Sequence, residues 1–231
     1  MANSFRFKQF EVKNGKSALK VGTDAVLLGA AMTLLPEDRT LLDIGTGTGV
    51  IALMAAQRCG AGIIGIDIDS PSAEEAAENF SLSPWAGRLR AENAALASFR
   101  PPHKFDLIFS NPPYYDNSLL NPDARESAAR HTESLSYREI AAFSSEWLEE
   151  EGRLSLILPF DCKPMVLRTA ASFGLFPFRA INIKTTARKP FRRVILEFSR
   201  RRAECTESEL VLQDGNARTA QYSELTEDFY L

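Results

Sequence analysis

Short apolar runs alternate along this chain with longer stretches that are apolar on one side only. That is the pattern of strands separated by helices. Residues 40–44, Thr40-Leu41-Leu42-Asp43-Ile44, read as a buried strand, and residues 49–58 as the helix after it. Residues 63–67 form a second apolar strand that ends in an acid, Asp67. Ser70-Pro71 supplies an N-cap and a proline at the first helical position, leading into a helix through residues 73–79. Residues 88–92 predict a short third strand and residues 105–109 a fourth. Ser136-Tyr137-Arg138-Glu139 is a capping box that opens a helix reaching Trp147. Residues 154–158 are a fifth strand, and residues 163–173 a helix closed by Gly174. Residues 178–183 and 194–198 then give two strands with no helix-length segment between them. The predicted architecture is α/β, a Rossmann-like three-layer αβα sandwich with a mostly parallel sheet that ends in an antiparallel hairpin.

The chain has 231 residues, 45% hydrophobic and 25% charged, which suits one large domain (residues 1–231) rather than a disordered or fibrous chain. Within it we expect an N-terminal segment at 1–38, a catalytic core at 39–200 and a C-terminal tail at 201–231. The first residues lack an apolar signal-peptide core, and no apolar run approaches the roughly 20 residues that span a bilayer. Cys59, Cys162 and Cys205 are far apart and form no CxxC pair, so a reducing cytoplasm is the expected location. His103 and His131 are too isolated to suggest a metal site, and none is expected.

The net charge of −3 hides an asymmetry. Nine Lys or Arg lie between Arg179 and Arg202 against one acid, Glu197, and the first twenty residues are also basic. Such segments in an acidic protein predict a polyanion footprint, centred on Arg188, Lys189, Arg192 and Arg193. The alternative is a pair of solvated strand faces.

Two motifs suggest chemistry. Asp43-Ile44-Gly45-Thr46-Gly47-Thr48-Gly49 is a glycine-rich turn between a strand and its helix, which brings backbone N–H groups close to a ligand. A dinucleotide site wants a small residue at position 50, where this chain has Val50. The spacing suits a phosphate-free cofactor such as S-adenosylmethionine. Asp43 could hold the methionyl ammonium through water or backbone. Asp67, some twenty residues on, could accept the ribose hydroxyls, with Asp69 the competing choice. Asn111-Pro112-Pro113-Tyr114 closes the fourth strand. Two prolines stiffen the turn, so the Asn111 amide oxygen and the Pro112 carbonyl can accept both hydrogens of one planar NH2 group. Tyr114 adds a stacking face. Beside a methyl donor, that arrangement fits methylation of an exocyclic nitrogen. Residues 118–133 read as a mobile substrate loop. Phe5, Phe7 and Phe10 could stack on RNA, but an apolar face against the core is the commoner outcome of such spacing.

The order of glycine turn, strand-two acid and Asn-Pro-Pro-Tyr resembles class I S-adenosylmethionine-dependent amino-methyltransferases. Phe5-Arg6-Phe7-Lys8-Gln9-Phe10, Leu19-Lys20-Val21-Gly22-Thr23-Asp24-Ala25, Ala129-Arg130-His131 and the ending Asp228-Phe229-Tyr230-Leu231 narrow the likeness. Together they resemble the bacterial valine-tRNA adenine-N6 methyltransferase family, over nearly the whole chain. The resemblance implies that Lys20, Gly22, Thr23 and Asp24 close over the methionine end of the cofactor. It places Gly45, Gly47 and Asp43 at its floor and Asp67 on the ribose. Asn111, Pro112 and Tyr114 would hold the target adenine. Where such enzymes often have an Asp at the end of the third strand, this chain has Glu92-Asn93, so Asn93 or Glu92 would meet the cofactor adenine. Arg130 and His131 would touch the tRNA substrate, with no metal and no obligatory protein partner. A protein-glutamine methyltransferase presents the same ledge but usually carries an N-terminal helical domain. A DNA adenine methyltransferase usually adds a target-recognition region. A catalytically silent nucleic-acid-binding module would have no need of the intact ledge.

Overall fold

The computed structural model describes residues 4–17, 20–113 and 135–231. Tyr114, Arg130, His131 and the stretch 118–133 lie outside the described residues. Eleven strands and six α-helices follow in order among the described residues: β1 (Ser4–Arg6), β2 (Glu11–Lys13), α1 (Thr23–Ala31), β3 (Thr40–Ile44), α2 (Val50–Arg58), β4 (Gly62–Asp67), α3 (Ser70–Leu82), β5 (Leu89–Asn93), β6 (Phe105–Ser110), α4 (Tyr137–Trp147), β7 (Leu148–Pro159), α5 (Lys163–Ser172), β8 (Phe176–Thr186), β9 (Arg193–Ser199), β10 (Thr206–Asp214), β11 (Ala217–Arg218) and α6 (Ala220–Thr226).

Nine strands form one sheet in the order β11-β10-β8-β9-β7-β6-β3-β4-β5, and β1 pairs with β2 separately. Neighbours from β5 through β7 are parallel, while β9 is antiparallel to both β7 and β8. The two expected final strands therefore do pair as a hairpin, with β9 inserted between β7 and β8. The sheet does not stop there. The segment expected as a tail contributes β10, which lies parallel to β8, then β11 and α6.

The central strands β3 and β6 are largely apolar because both of their faces are covered, and alternate residues point to opposite layers. Leu41, Leu107 and Ile157 enter the core beneath α1, α2 and α3, whereas Leu42, Ile108 and Leu156 enter the core beneath α4 and α5. Helix α1 has no counterpart among the expected elements. Every residue from Ala25 to Ala31 is buried, so it shows no amphipathic period to read. It packs closely on α2 at Gly29, where a Cβ would come 2.7 Å from Met54 Sδ.

Of the N-terminal aromatics, Phe7 and Phe10 are core residues and Phe5 packs against them partly buried. Phe7 stacks on Phe10 with ring centroids 4.5 Å apart, and Tyr230 packs on both Phe5 and Phe7. The Lys8 N–H donates to the Phe229 carbonyl at 2.9 Å, so the chain's two ends dock on each other.

Candidate active site

The carboxyl ends of β3, β4, β5, β6 and β7 lie on one edge of the sheet. The chain leaves β3 for β4 on one side and returns to β6 on the other, and ligands bind α/β sheets at such a reversal. A cavity of about 430 Å³ opens there. Its walls include Gly45, Thr46, Gly47, Ile66, Asp67, Ala94, Leu96, Asn111 and Pro113.

The glycine turn is shaped by its backbone. Gly45, Gly47 and Gly49 have φ of 71°, 55° and 79°, in the left-handed region that side chains disfavour. At Gly49 a Cβ would also strike Phe80 at 2.4 Å. The Gly45 and Thr46 N–H groups both donate to the Ile66 carbonyl at 2.9 Å, and the Gly47 N–H donates to Asp67 Oδ2 at 2.9 Å. These donors are spent inside the protein. A phosphate would find them engaged and two carboxylates nearby.

Asp43 lies behind the turn rather than on the cavity wall. It is fully buried, and Thr46 Oγ1 donates to its Oδ2 at 2.8 Å. Its Oδ1 is buried and makes no hydrogen bond among the described residues. Burial pushes its pKa up to about 7, against the Thr46 bond that lowers it, with Asp67 adding repulsion. A buried acid with an unmatched oxygen beside the cavity floor fits a cationic group on the other side of the turn.

Asp67 lines the cavity and holds its rim together. Besides the Gly47 bond, its Oδ1 accepts the Asp69 N–H at 2.9 Å. Burial raises its pKa although both backbone bonds oppose that. Each carboxylate oxygen retains a lone pair for a hydroxyl. Asp69 also lines the cavity, but it is the N-cap of α3. Its Oδ2 accepts the Ser72 N–H at 3.0 Å and the Ser72 hydroxyl at 2.6 Å. Both carboxylates thus border the cavity, and each already accepts two hydrogen bonds from the protein.

Asn93 does not line the cavity. Its Nδ2 donates to the Asp67 and Ile68 carbonyls, both at 3.0 Å, and so braces the loop after β4. Neither does Glu92. The wall at that end is made by Ala94, Ala95, Leu96 and Ile68. Through Nδ2, Asn93 braces the loop beside the cavity, while the expected adenine contact rests on its side-chain oxygen.

On the opposite wall, Asn111 and Pro113 follow directly from β6, while Pro112 is buried beside them. Ser110 anchors the ledge by donating to the Ile44 carbonyl at 2.7 Å. Leu135 and Glu139, at the start of α4, close this side. Nothing in the spacing of the capping box showed that Glu139 would border the cavity.

Of the N-terminal candidates, Lys20 lines the cavity, and its Nζ donates to the Gly15 and Ser17 carbonyls at 3.0 and 3.1 Å. Gly22, Thr23 and Asp24 do not line it. They form the entry to α1, and Ala25 is the residue there that does. Ser17 and Ser72, which sequence reasoning missed, are also on the wall.

The nine cations from Arg179 to Arg202 do not form one patch. Strand geometry divides them. Arg179 pairs with buried Glu197, Lys184 with Glu209 and Arg193 with Asp24, at 2.8, 2.9 and 2.8 Å. Arg200, Arg201 and Arg202 lie beyond β9, at the opposite edge of the sheet. Arg188, Lys189 and Arg192 remain exposed on the β8–β9 turn. Because β8 runs parallel to β7, that turn is on the same edge as Asn111. The Phe160 N–H ties it to the end of β7 by donating to the Arg192 carbonyl at 3.2 Å.

Among the described residues no group of three or more His, Cys, Asp or Glu is placed to hold a metal ion, and no helix is long and apolar enough to cross a membrane.

Comparison with known proteins places these features. The family model for the Methyltransferase small domain matches residues 15–159. A Bacteroides fragilis protein named tRNA1(Val) (adenine(37)-N6)-methyltransferase is 40% identical over 231 residues, covering 98% of this chain and 97% of that protein. A protein of the same name from Flavobacterium johnsoniae is 40% identical over 232 residues, covering 98% and 99%. The crystal structure of a protein from Agrobacterium tumefaciens, described as a predicted O-methyltransferase, matches with a TM-score of 0.69 over 89% of this chain and 96% of that one. At 19% identity it shows the shared fold.

Proposed function

The chain belongs to the family of tRNA1(Val) (adenine(37)-N6)-methyltransferases, and we propose on that footing that it methylates the exocyclic N6 of an adenine in tRNA, the adenine 3′ of the anticodon of valine tRNA. The observation that carries this reading is that Asn111 and Pro113 border the same cavity as Asp67 and the glycine turn. The acceptors for an amino group and the acid for a ribose share one space.

In this reading the turn Gly45-Thr46-Gly47, Asp67, Ser17 and Lys20 hold the cofactor, with Asp43 acting from behind the turn. Bound there, S-adenosylmethionine supplies an electrophilic methyl group on a sulfonium. The target amino nitrogen is a weak nucleophile because its lone pair is delocalised into the ring. Asn111 Oδ1 and the Pro112 carbonyl accept its two hydrogens. They draw the nitrogen toward tetrahedral geometry and stabilise the positive charge that develops on it. The methylated nitrogen then loses a proton to water, so no side chain has to act as base beforehand. Tyr114 offers the stacking face. A base in a loop leaves its stack at lower cost than one in a duplex. Arg188, Lys189 and Arg192 take backbone phosphates on the same edge of the sheet, and Arg130 and His131 are further tRNA contacts. The enzyme acts in the cytoplasm as a single domain, without a metal or an obligatory protein partner.

The test is incubation with labelled S-adenosylmethionine and total tRNA, followed by nucleoside mapping. N6-methyladenosine in valine tRNA is the expected product. Label on a protein glutamine, with tRNA untouched, would overturn the substrate assignment.

A further inference from the structure

We infer that Glu75 and Asn79, on the buried side of α3, are positioning residues for cofactor binding that hold residues 13–17 as a fixed wall of the cavity. The inference rests on reading that cavity as the S-adenosylmethionine site.

Glu75 is only 2% exposed, yet its carboxylate meets three successive backbone N–H groups. Gly15 and Lys16 donate to Oε1 at 2.7 and 2.8 Å, and Ser17 donates to Oε2 at 2.7 Å. Burial by itself would raise its pKa. The three donors, helped by Lys20, outweigh burial and hold it below the ordinary carboxylate range. The charge persists because backbone donors have replaced water.

Asn79, one turn further along, is 1% exposed. Its Oδ1 accepts the Lys13 N–H at 2.8 Å, and its Nδ2 donates to the Lys13 carbonyl at 3.0 Å. The same Nδ2 donates to the Thr48 carbonyl at 2.8 Å. One amide thus treats Lys13 as a strand partner would and ties it to the glycine turn. Ser72, Glu75 and Asn79 are spaced three and four residues apart, which puts them on one stripe of the helix. Ser72 Oγ and Ser17 Oγ are 3.2 Å apart, and because the Ser72 hydroxyl donates to Asp69, the Ser17 hydroxyl is the donor of the bond that completes the seam.

The seam leads to the cavity. Ser17 lines it, and its Oγ would be 3.4 Å from a Cβ placed on Gly47. Lys20 lines it too, anchored on the carbonyls of Gly15 and Ser17, whose N–H groups Glu75 holds. Glu75 and Asn79 do not line the cavity themselves. Their effect reaches the cofactor only through residues 13–17.

The experiment is calorimetric binding of S-adenosylhomocysteine, which needs neither tRNA nor turnover. Glu75→Gln keeps the shape but turns an NH2 group toward backbone donors. Its affinity is expected to fall by about tenfold or more, with kcat at saturating S-adenosylmethionine retained. Glu74→Gln, on the exposed side of α3, is expected to bind as the wild type does. Unchanged affinity in Glu75→Gln would overturn the inference alone. A wild type that does not bind S-adenosylhomocysteine would overturn the cavity assignment and the inference with it. Should Glu75→Gln not fold, hydrogen exchange on the wild type decides. S-Adenosylhomocysteine is expected to slow exchange at the Gly15, Lys16 and Ser17 amides, and unchanged exchange there would overturn the inference.

Discussion

Arg193 Nε, at the start of β9, donates to Asp24 Oδ2, in the first turn of α1, at 2.8 Å. The pair joins a residue expected to meet tRNA to one expected to meet the cofactor, and it changes what each is expected to do. Arg193→Ala should cost about 1 kcal/mol of stability or less, since the pair is partly exposed. It should leave the salt dependence of tRNA binding almost unaltered. Thermal melting and a salt titration of binding check the two halves of that statement.

The phosphate contacts are expected on Arg188, Lys189 and Arg192. Replacing all three with Ala should reduce the slope of log K against log salt by roughly two to three. Affinity for S-adenosylhomocysteine should be unchanged, because none of the three lines the cavity. Filter binding over a salt series is the measurement. A slope equal to that of the wild type would make this turn an ordinary solvated hairpin.

Asn111→Ala removes one of the two proposed acceptors for the target amino group. By analogy with the loss of one oxyanion-hole donor, kcat should fall by roughly 10²–10³. Cofactor affinity should change little. Single-turnover methylation of tRNA, alongside calorimetry, separates the effects, and wild-type turnover would mean that the chemistry lies elsewhere.

Asp67→Ala should weaken cofactor binding by on the order of 1–3 kcal/mol, the loss of charge-assisted hydrogen bonds. It should also loosen the glycine turn, since the Gly47 and Asp69 N–H groups lose their acceptor. Asp69→Ala removes a helix cap instead and should cost about 0.5–2 kcal/mol of stability with a smaller effect on affinity. If the affinities respond in the opposite order, the ribose role passes to Asp69.

Asp43 makes the stability of the ligand-free protein depend on pH. Its folded pKa, about 7, is above the ordinary 3.8. The folded state therefore holds a proton that the unfolded chain releases, and stability is lost as pH rises from about 4 through 7. Asp43→Asn keeps an acceptor for Thr46 and carries no charge. It should melt above the wild type at pH 8, by an amount on the order of a few kcal/mol at most, and converge with it near pH 4. Melting curves across this range test the sign.

Much of this protein follows from local pattern. The strands β3, β4 and β6 are legible because both of their faces are buried, which leaves unbroken apolar runs. The glycine turn, the acid at the end of β4, the capping box of α4 and the Asn-Pro-Pro ledge are legible because each depends on residues only a few positions apart. Tertiary structure decided the rest. Helix α1 is apolar all round and shows no period, so only its burial between other elements reveals it. Glu75 and Asn79 look in the sequence like the solvated face of a polar helix. They are buried because residues 13–17 cross over them and bring backbone donors from sixty residues away. The run of cations reads as one patch, but the β8–β9 hairpin puts its turn, with Arg188, Lys189 and Arg192, at one edge of the sheet and both of its ends at the other, and it gives the strand cations Arg179, Lys184 and Arg193 acidic partners. Pattern reports which residues must leave water. Which polar groups can follow them depends on partners that only the folded chain brings within hydrogen-bonding distance.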